Sequence, residues 1–284
     1  MKLGYLGIGL MGRPKTLRLL AAGHEVTVWN RSPEKMKPVV EKGATPAGSP
    51  AEVARNAEVV MMCVTDQRAA EEVLFGANGL IEGAKRGLVV VDFSSIAPES
   101  ARAFHKRLAA KGVGLVDAPV SGGVAGAEKG TLAIMAGGRE EDVERVRPLV
   151  MHLAARFTRM GDAGAGQTTK LCNQIIVGSL LPILAEAVRL AEAAGVDAKK
   201  LPEALKGGFA DSGPLQIFGA RMASRTFEPS IGAASLMLKD LGNAADLAKN
   251  VGIELPMVER ALERYRKLKA AGGIERDPSV LVEL

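Results

Sequence analysis

The sequence predicts an α/β fold in which a domain built on a mainly parallel sheet is followed by an all-helical domain. Three observations indicate this order. Short runs rich in Val, Ile and Leu alternate with helical patterns up to about residue 161, a glycine-rich turn follows the first run, and the strand pattern is absent from residue 164 onward. Alternating strands and helices typically form βαβ units around a parallel sheet. We therefore place the two domains at residues 1–162 and 163–284.

The individual elements follow from these patterns in order. Each predicted strand is bounded by Gly, Asp or Ser, and each predicted helix ends at a glycine or a polar turn. The strands read KLGYLGI, EVTVWN, EVVMMCV, GLVVVDFSS, GVGLVDAPV and TLAIMAG. The helices read TTKLCNQIIVGSLLPILAEAVRLAEAAG, DAKKLPEALKGG, GPLQIFGARMAS, AASLMLKDLGNAADLAKNVG and PMVERALERYRKLKAAGG. Pro182 lies inside the first of these helices, where a proline can kink or break the helix.

The composition is that of an ordinary soluble globular protein. The 284 residues are 47% hydrophobic and 24% charged, and no segment has the ~18 uninterrupted apolar residues of a membrane span, so we expect no membrane partner. Cys63 and Cys172 lie in apolar runs far apart in the sequence. This placement suits reduced core thiols better than a disulfide, and it predicts a cytoplasmic protein.

The net charge of +5 does not by itself indicate a nucleic-acid partner. Lys and Arg are scattered beside Glu and Asp, and aromatic residues make up only 4% of the chain, whereas nucleic-acid surfaces combine basic runs with stacking residues. A positive surface of this kind favours small anionic molecules. His24, His105 and His152 have no carboxylate or cysteine at ligand spacing, so no metal site is predicted.

The glycine-rich turn carries the first motif with chemical meaning. It follows an apolar strand and precedes a helical pattern, which is the context in which G-x-G-x-x-G binds the diphosphate of a dinucleotide. The first glycine permits the tight turn, the second lets the backbone approach the diphosphate, and the third lets the helix pack against the strand. A Rossmann-type dinucleotide-binding domain is therefore predicted, with a cofactor turn made of Gly7, Ile8, Gly9, Leu10, Met11 and Gly12.

The end of the second predicted strand indicates which dinucleotide is bound. Sites selective for NAD place a carboxylate about 20 positions after the glycines, where it binds the ribose hydroxyls. Here the strand ends in Asn30, Arg31 and Ser32, with Lys35 one turn further along. Arg31 can pair with a 2′-phosphate, and the other side chains can donate hydrogen bonds to it. We therefore predict NADP(H) in preference to NAD(H).

Two later segments contain polar residues at special positions. In DAPVSGG, Ser121, Gly122 and Gly123 follow a strand and offer a hydroxyl and exposed amides to a carboxylate. The same residues are equally compatible with a turn that leads into the next element and binds no ligand. In GAGQTTKLCNQ, Lys170 and Asn173 lie three residues apart, hence on one helix face, ahead of an apolar run.

Four segments in order, GYLGIGLMGRP, DAPVSGG, GAGQTTKLCNQ and LMLKDLGNA, resemble the β-hydroxyacid dehydrogenase family, which includes 3-hydroxyisobutyrate dehydrogenase, tartronate semialdehyde reductase and glyoxylate/succinic semialdehyde reductase. The resemblance implies that Val64 and Thr65 line the adenine and ribose path, and that Ser95 lies beside the nicotinamide. It implies a carboxylate site at the Ser-Gly-Gly turn. It also implies a catalytic Lys170, a substrate-orienting Asn173, and a Lys239 that closes over cofactor and substrate.

The chain also departs from the family pattern at two places. The family usually continues from the glycine turn with proline, methionine and alanine, but here Pro14 is followed by Lys15 and Thr16. The semialdehyde-reductase branch commonly has a phenylalanine where this chain has Ile231. The second departure weakens assignment to that branch.

The resemblance fits a direct chemical argument. An aldehyde that accepts hydride develops negative charge on oxygen, which an ammonium can stabilise and then protonate, so Lys170 is the predicted general acid. In the oxidation direction Lys170 must be neutral, so its pKa is expected below the usual value of about 10.4. Asn173 can donate to the substrate without competing for the proton.

We therefore predict an NADP(H)-dependent enzyme that interconverts a small β-hydroxyacid and its semialdehyde, of the tartronate, succinic or glyoxylate type. The alternatives are an NAD-dependent 3-hydroxyisobutyrate or serine dehydrogenase, an imine reductase, which has another residue in place of the lysine, and a catalytically silent NADP-binding module. The apolar stripe IIVGSLLPILAEAV further predicts a homo-oligomer, dimer or tetramer.

Overall fold

The first compact unit, Met1–Lys170, is organised by a nine-stranded sheet in the computed structural model, which describes residues 1–284. The strands are β1 (Lys2–Leu6), β2 (Glu25–Trp29), β3 (Thr45–Pro46), β4 (Val59–Met62), β5 (Val89–Asp92), β6 (Gly114–Asp117), β7 (Val120–Ser121), β8 (Leu132–Gly137) and β9 (Ala154–Gly161). Their order is β3-β2-β1-β4-β5-β6-β8-β7, with β9 paired to β8.

Thirteen helices accompany the strands. They are α1 (Gly12–Ala21), α2 (Lys37–Val40), α3 (Pro50–Arg55), α4 (Gln67–Phe75), α5 (Leu80–Gly83), α6 (Pro98–Ala109), α7 (Gly123–Lys129), α8 (Glu140–Val150), α9 (Ala165–Ala193), α10 (Leu201–Ala204), α11 (Ala220–Ser224), α12 (Ala234–Val251) and α13 (Pro256–Ala270). A π-helical segment, Leu215–Gly219, precedes α11. The predicted α/β fold with a helical second part is confirmed.

The sheet is parallel from β3 to β6 and becomes antiparallel where β8 joins β6. All six predicted strands are present, but β3, β7 and β9 were not predicted. Strand β9 escaped prediction because only Ala154 and Phe157 among its residues are buried, so its sequence lacks an apolar run. It forms because its backbone pairs with the edge of β8.

Both faces of the sheet are covered, as is usual for parallel strands. Alternate residues of β4 enter different core clusters: Val59 and Met61 pack on one side, and Val60 and Met62 on the other. Because β2 and β4 flank β1, the carboxyl ends of β1 and β4 border a crevice at the point where the strand order reverses. Such a point is where dinucleotides bind in open α/β sheets.

The second compact unit, Leu171–Leu284, is helical. Its core contains the fully buried side chains of Leu181, Leu241 and Tyr265. The Tyr265 hydroxyl donates to the Gly178 carbonyl oxygen of α9 at 3.0 Å, and burial raises its pKa. The boundary between the units falls after Lys170, inside α9.

Helix α9 runs without interruption through Pro182. By length and composition it could cross a membrane, and 44% of its most apolar window is buried within the chain; core helices of soluble proteins share this property. The absence of a membrane partner stays a prediction. The prediction of two core thiols was wrong for Cys172, which is exposed on this helix, whereas Cys63 is partly buried and both are free.

Candidate active site

The cofactor turn lies at the carboxyl end of β1 and is shaped by its glycines. Gly7 has a φ of +94°, and a Cβ there would lie 2.2 Å from the Cys63 carbonyl oxygen. A Cβ at Gly12 would lie 1.9 Å from the Gly7 carbonyl oxygen. Gly9, by contrast, is exposed and has no atom within 4 Å of the position of a Cβ. The first and third glycines are therefore required by the fold, whereas the second leaves open space above the turn.

The amino end of α1 fits a bound diphosphate. No side chain caps this helix, so its first amide groups are available to an anion at the positive end of the helix dipole. Leu10 is 76% exposed beside the open space at Gly9, and Met11 is half-buried. The donor set thus consists of backbone N–H groups, as the G-x-G-x-x-G motif requires.

Asn30 braces this turn from the end of β2. Its Oδ1 accepts a hydrogen bond from the Ile8 amide at 2.8 Å, and its Nδ2 donates to the Ser32 carbonyl oxygen at 2.9 Å. Both polar groups of the amide are thus engaged within the protein, and a phosphate contact from Asn30 stays a prediction. The sequence indicated the residue but not this bracing role.

The other residues predicted around the adenine end surround the same crevice. Arg31 and Lys35 are exposed beyond β2, and Ser32 is half-buried. At the end of β4, the Val64 amide donates to Ser94 Oγ at 2.9 Å, and Thr65 Oγ1 donates to Asp66 Oδ2 at 2.8 Å. At the end of β2 the crevice is therefore bordered by an exposed arginine. No carboxylate lies among the residues that directly follow this strand.

A buried polar network supports the loop that contains Ser95. Asp92 Oδ1 accepts from the Ser94 amide at 2.8 Å. The Gln167 side chain donates through Nε2 to the Ser94 carbonyl oxygen at 2.7 Å and accepts at Oε1 from the Ile96 amide at 3.2 Å. Ser95, between them, stays partly exposed. Ser94 and Gln167 therefore fix the backbone on both sides of the predicted nicotinamide contact.

Asp117, at the end of β6, anchors the amino end of α9. Its Oδ1 accepts from the Gly164 amide at 2.8 Å, and its Oδ2 accepts from the Gln167 amide at 2.9 Å. Gly166 allows this approach, since a Cβ there would lie 2.4 Å from the Asp117 carbonyl oxygen. A carboxylate at a helix amino end satisfies amide groups that have no partner inside the helix.

The anchored helix brings Lys170 to the Ser-Gly-Gly turn. Lys170 Nζ donates to the Val120 carbonyl oxygen at 2.8 Å, one residue before Ser121. Gly122 and Gly123 follow with φ values of +127° and +61° and are exposed. The ammonium and the predicted carboxylate-binding turn, separated by about 50 positions in the sequence, are therefore neighbours in the first unit.

The remaining predicted residues belong to the second unit, where they form a hydrogen-bonded chain. Asn173 Nδ2 donates to Gln174 Oε1 at 2.8 Å, and Gln174 Nε2 donates to Asp240 Oδ2 at 2.7 Å. Asp240 forms an ion pair with Lys239 at 3.3 Å. Asp240 thus orients Lys239. From the sequence alone, this role and the capping of neighbouring backbone groups were both possible.

Two buried carboxyl groups stand side by side at the strand ends, since Asp92 pairs with Asp117 in the β5–β6 register. Burial raises the pKa of Asp92 to about 6, against the opposing effects of the Ser94 hydrogen bonds and of Lys15. Burial likewise raises the pKa of Asp117 to about 6, although amide donors from α9 oppose the shift. The carboxyl ends of β5 and β6, where these two groups lie, are therefore poorly solvated.

Sequence reasoning did not assign functions to five residues of this network: Asp92, Ser94, Asp117, Gln167 and Gln174. Asp117, Gln167 and Gln174 stand inside the segments DAPVSGG and GAGQTTKLCNQ, beside the residues that were singled out. The signal that could have identified them is a polar side chain in a segment where the neighbouring residues are apolar.

Comparisons with known proteins agree with this geometry. Residues 2–161 match the family model described as the NAD-binding domain of 6-phosphogluconate dehydrogenase, and residues 164–284 match that described as the NAD-binding of NADP-dependent 3-hydroxyisobutyrate dehydrogenase. The chain is 39% identical over 283 residues to 2-hydroxy-3-oxopropionate reductase of Escherichia coli (strain K12), covering 100% of this chain and 96% of that protein.

The same comparisons extend to a further relative and a solved structure. NAD-dependent L-serine dehydrogenase of Pseudomonas aeruginosa is 34% identical over 290 residues, with 100% of this chain and 97% of that protein covered. A structure of Mycobacterium tuberculosis 3-hydroxyisobutyrate dehydrogenase with L-serine superposes with a TM-score of 0.89 at 30% identity, covering 99% and 98% of the two chains. This chain belongs to the β-hydroxyacid dehydrogenase family. It is an NAD(P)-dependent hydroxyacid dehydrogenase, and its cofactor is a nicotinamide dinucleotide.

The glycines of this dehydrogenase should separate stability from cofactor affinity. In Gly12→Ala the new Cβ meets backbone, so the free energy of unfolding should fall by about 1–3 kcal/mol. In Gly9→Ala the Cβ enters open space, so the free energy of unfolding should stay within about 0.5 kcal/mol of wild type while binding of the nicotinamide dinucleotide weakens. Urea unfolding and fluorescence titration with NADH and with NADPH measure the two effects. Equal stability of the two variants would contradict the packing argument.

Replacing the anchor of α9 should impair both folding and turnover. Asp117→Asn presents an N–H donor where two amides already donate, so we expect a loss of about 1–3 kcal/mol in unfolding free energy and a fall in kcat. Asp162→Asn is the matched control, because it removes only an exposed ion pair with Arg159, worth at most about 1 kcal/mol. Similar behaviour of the two variants in urea unfolding would argue against the anchor.

Proposed function

We propose that the protein is an NADP(H)-dependent reductase of small semialdehydes, of the tartronate, succinic or glyoxylate type, in which Lys170 is the general acid. The observation that carries this proposal is the position of Lys170 Nζ, 2.8 Å from the Val120 carbonyl oxygen at the start of the Ser-Gly-Gly turn. An ammonium beside a set of exposed amides suits a substrate with both a carboxylate and a reactive oxygen.

The roles of the chain's residues follow from their chemistry. Ser121, Gly122 and Gly123 bind the substrate carboxylate through a hydroxyl and backbone amides. The reduced nicotinamide, when bound, supplies hydride to the carbonyl carbon. Lys170 donates a hydrogen bond to the carbonyl oxygen, stabilises its developing charge and transfers a proton to it. In the reverse direction the neutral amine of Lys170 accepts the hydroxyl proton.

Two side chains of the helical unit also have a role in the proposed reaction. We assign substrate orientation to Asn173 and cofactor contact to Lys239, following the family pattern. The Asn173 carboxamide is held through its Nδ2 by Gln174, and Lys239 is held by Asp240. Both are therefore preset by neighbours within their own unit, which reduces the entropy lost when a ligand binds.

The preference for NADP(H) is supported by the charges at the end of β2. Arg31 and Lys35 are exposed there, and no carboxylate stands where an NAD-selective site would place one. A 2′-phosphate would gain charge-assisted hydrogen bonds from Arg31. A cytoplasmic location, expected from the reduced thiols, stays a prediction.

Steady-state kinetics test the reaction and the role of Lys170 together. We expect NADPH oxidation with glyoxylate, succinic semialdehyde, tartronate semialdehyde or methylmalonate semialdehyde, and slower rates with NADH. Lys170→Ala should lower kcat by a factor of about 10² or more while NADPH affinity is preserved. The control is Lys129→Ala, an exposed lysine in the last turn of α7.

Each other outcome rejects a stated part of the proposal. Full turnover by Lys170→Ala would remove Lys170 from the mechanism. A rate with NAD⁺ and 3-hydroxyisobutyrate or serine far above every NADPH rate would favour the alternative dehydrogenase. Tight NADPH binding without turnover of any substrate would favour a silent binding module.

We also propose a homo-oligomer, supported by an apolar stripe on α9. Ile176, Ile183 and Leu190 are 67%, 48% and 71% exposed, and their seven-residue spacing places them on one helix face. A contiguous exposed stripe of this kind is typical of subunit contacts.

If the stripe is a subunit contact, one charged residue introduced into it should lower the mass of the oligomer. In sedimentation equilibrium the wild-type chain should have the mass of a dimer or tetramer, and Ile183→Lys should shift it toward the monomer, because burying an unpaired ammonium is costly. Ile253→Lys, at an exposed apolar position that is not part of α9, is the control. A monomeric wild-type chain would reject the proposal.

A further inference from the structure

Lys15 is a buried lysine that the proposed reaction does not use. It lies in α1, directly after Pro14. Its side chain is 0% exposed, and lysine is almost never fully buried without a specific partner. Burial lowers the pKa of Lys15, against the opposing effects of Cys63 and Asp92. A larger fraction of this amine is therefore neutral and nucleophilic than on a surface lysine.

The partner of Lys15 is a thiol at the end of β4. Lys15 Nζ lies 3.7 Å from Cys63 Sγ and 4.3 Å from the centroid of the Phe93 ring. The ring and the helix enclose the amine, whereas Cys63 is only partly buried. The residue that contains the sulfur is therefore not sealed from solvent, and its sulfur makes a polar contact with this amine.

We propose that Lys15 and Cys63 form an oxidisable pair that closes into a covalent Nζ–Sγ bond, a sulfenamide, when the thiol meets hydrogen peroxide. The proposal concerns a modification site and does not depend on the catalytic assignment.

The chemistry proceeds in two balanced steps. In the first, the sulfur attacks peroxide, the O–O bond breaks, one water leaves, and Cys63 becomes a sulfenic acid; sulfur is oxidised by two electrons and peroxide is reduced. In the second, the neutral Lys15 amine attacks that sulfur, the S–O bond breaks, and the hydroxyl leaves with an amine proton as a second water. Sulfenic acids condense with a backbone nitrogen to a sulfenamide by the same kind of step, and a thiol such as dithiothreitol cleaves the S–N bond.

The position of the pair suggests what the bond would do, a step that rests on the proposed function. The Cys63 carbonyl oxygen packs beneath Gly7, and Lys15 lies in the first turn of α1, just after the cofactor turn. Closing 3.7 Å to a covalent bond pulls these two supports together. We therefore expect the linked protein to bind NADPH more weakly, with at least a threefold rise in Kd, and to recover after treatment with dithiothreitol.

Mass spectrometry of the full-length protein tests the bond directly. After hydrogen peroxide treatment of Cys172→Ser, which removes the exposed competing thiol, the intact mass should fall by two hydrogen atoms. Tryptic digestion should yield one peptide pair joined through Lys15 and Cys63, uncleaved after Lys15, and dithiothreitol should abolish it. Cys63→Ser and Lys15→Met should give no linked peptide. Lys15→Met places an unbranched apolar side chain at a fully buried position, so it should fold as wild type does.

Different results would contradict different parts of this inference. Sulfinic acid at Cys63 without a link, a linked species that retains an oxygen atom, or an unreacted Cys63 would each overturn the proposal. Linked protein with unchanged NADPH affinity would overturn the inferred effect on the cofactor turn. If untreated protein fails to bind NADPH, the proposed function fails, while the linked-peptide result still decides the modification site.

Discussion

The anchoring of α9 by Asp117 is the interaction on which the rest of the active-site geometry depends. One carboxyl group at the end of β6 accepts from the Gly164 and Gln167 amides, so the first turn of α9 is fixed to the sheet within the first unit. A helix fixed at one end carries its side chains to reproducible positions. Lys170 therefore reaches the Val120 carbonyl oxygen because of a contact made three residues earlier in the chain, at Gln167.

The same helix end also supports the opposite wall of the crevice. Gln167 has its amide on Asp117 and its side chain on the backbone of Ser94 and Ile96. Lys170, the proposed general acid, and the loop of Ser95 thus share one support, the first turns of α9. Burial of Asp92 and Asp117 raises both pKa values, which indicates a poorly solvated edge, and electrostatic effects on a reacting oxygen are stronger in such surroundings.

The cofactor turn depends on a different kind of constraint. Gly7 and Gly12 are needed because backbone atoms occupy the space of their side chains, whereas Gly9 faces open space. Below the turn, Lys15 points into the core near Cys63. A polar group placed there is tolerated because a thiol, an aromatic ring and a carboxyl group surround it. The Lys15–Cys63 contact therefore lies next to the cofactor turn, since the Cys63 carbonyl oxygen packs beneath Gly7.

The sequence by itself determined the features that local patterns encode: six of the nine strands, the long helices, the glycine turn, and the candidate residues Ser121, Lys170 and Asn173. The tertiary structure decided the rest, namely strand β9, the exposure of Cys172, the burial of Lys15, and the partners of Asn30 and Gln167. Those partners lie 22 and 50 positions away in the chain. Which distant backbone groups meet depends on the order of strands in the sheet, and no local pattern of residues contains that order.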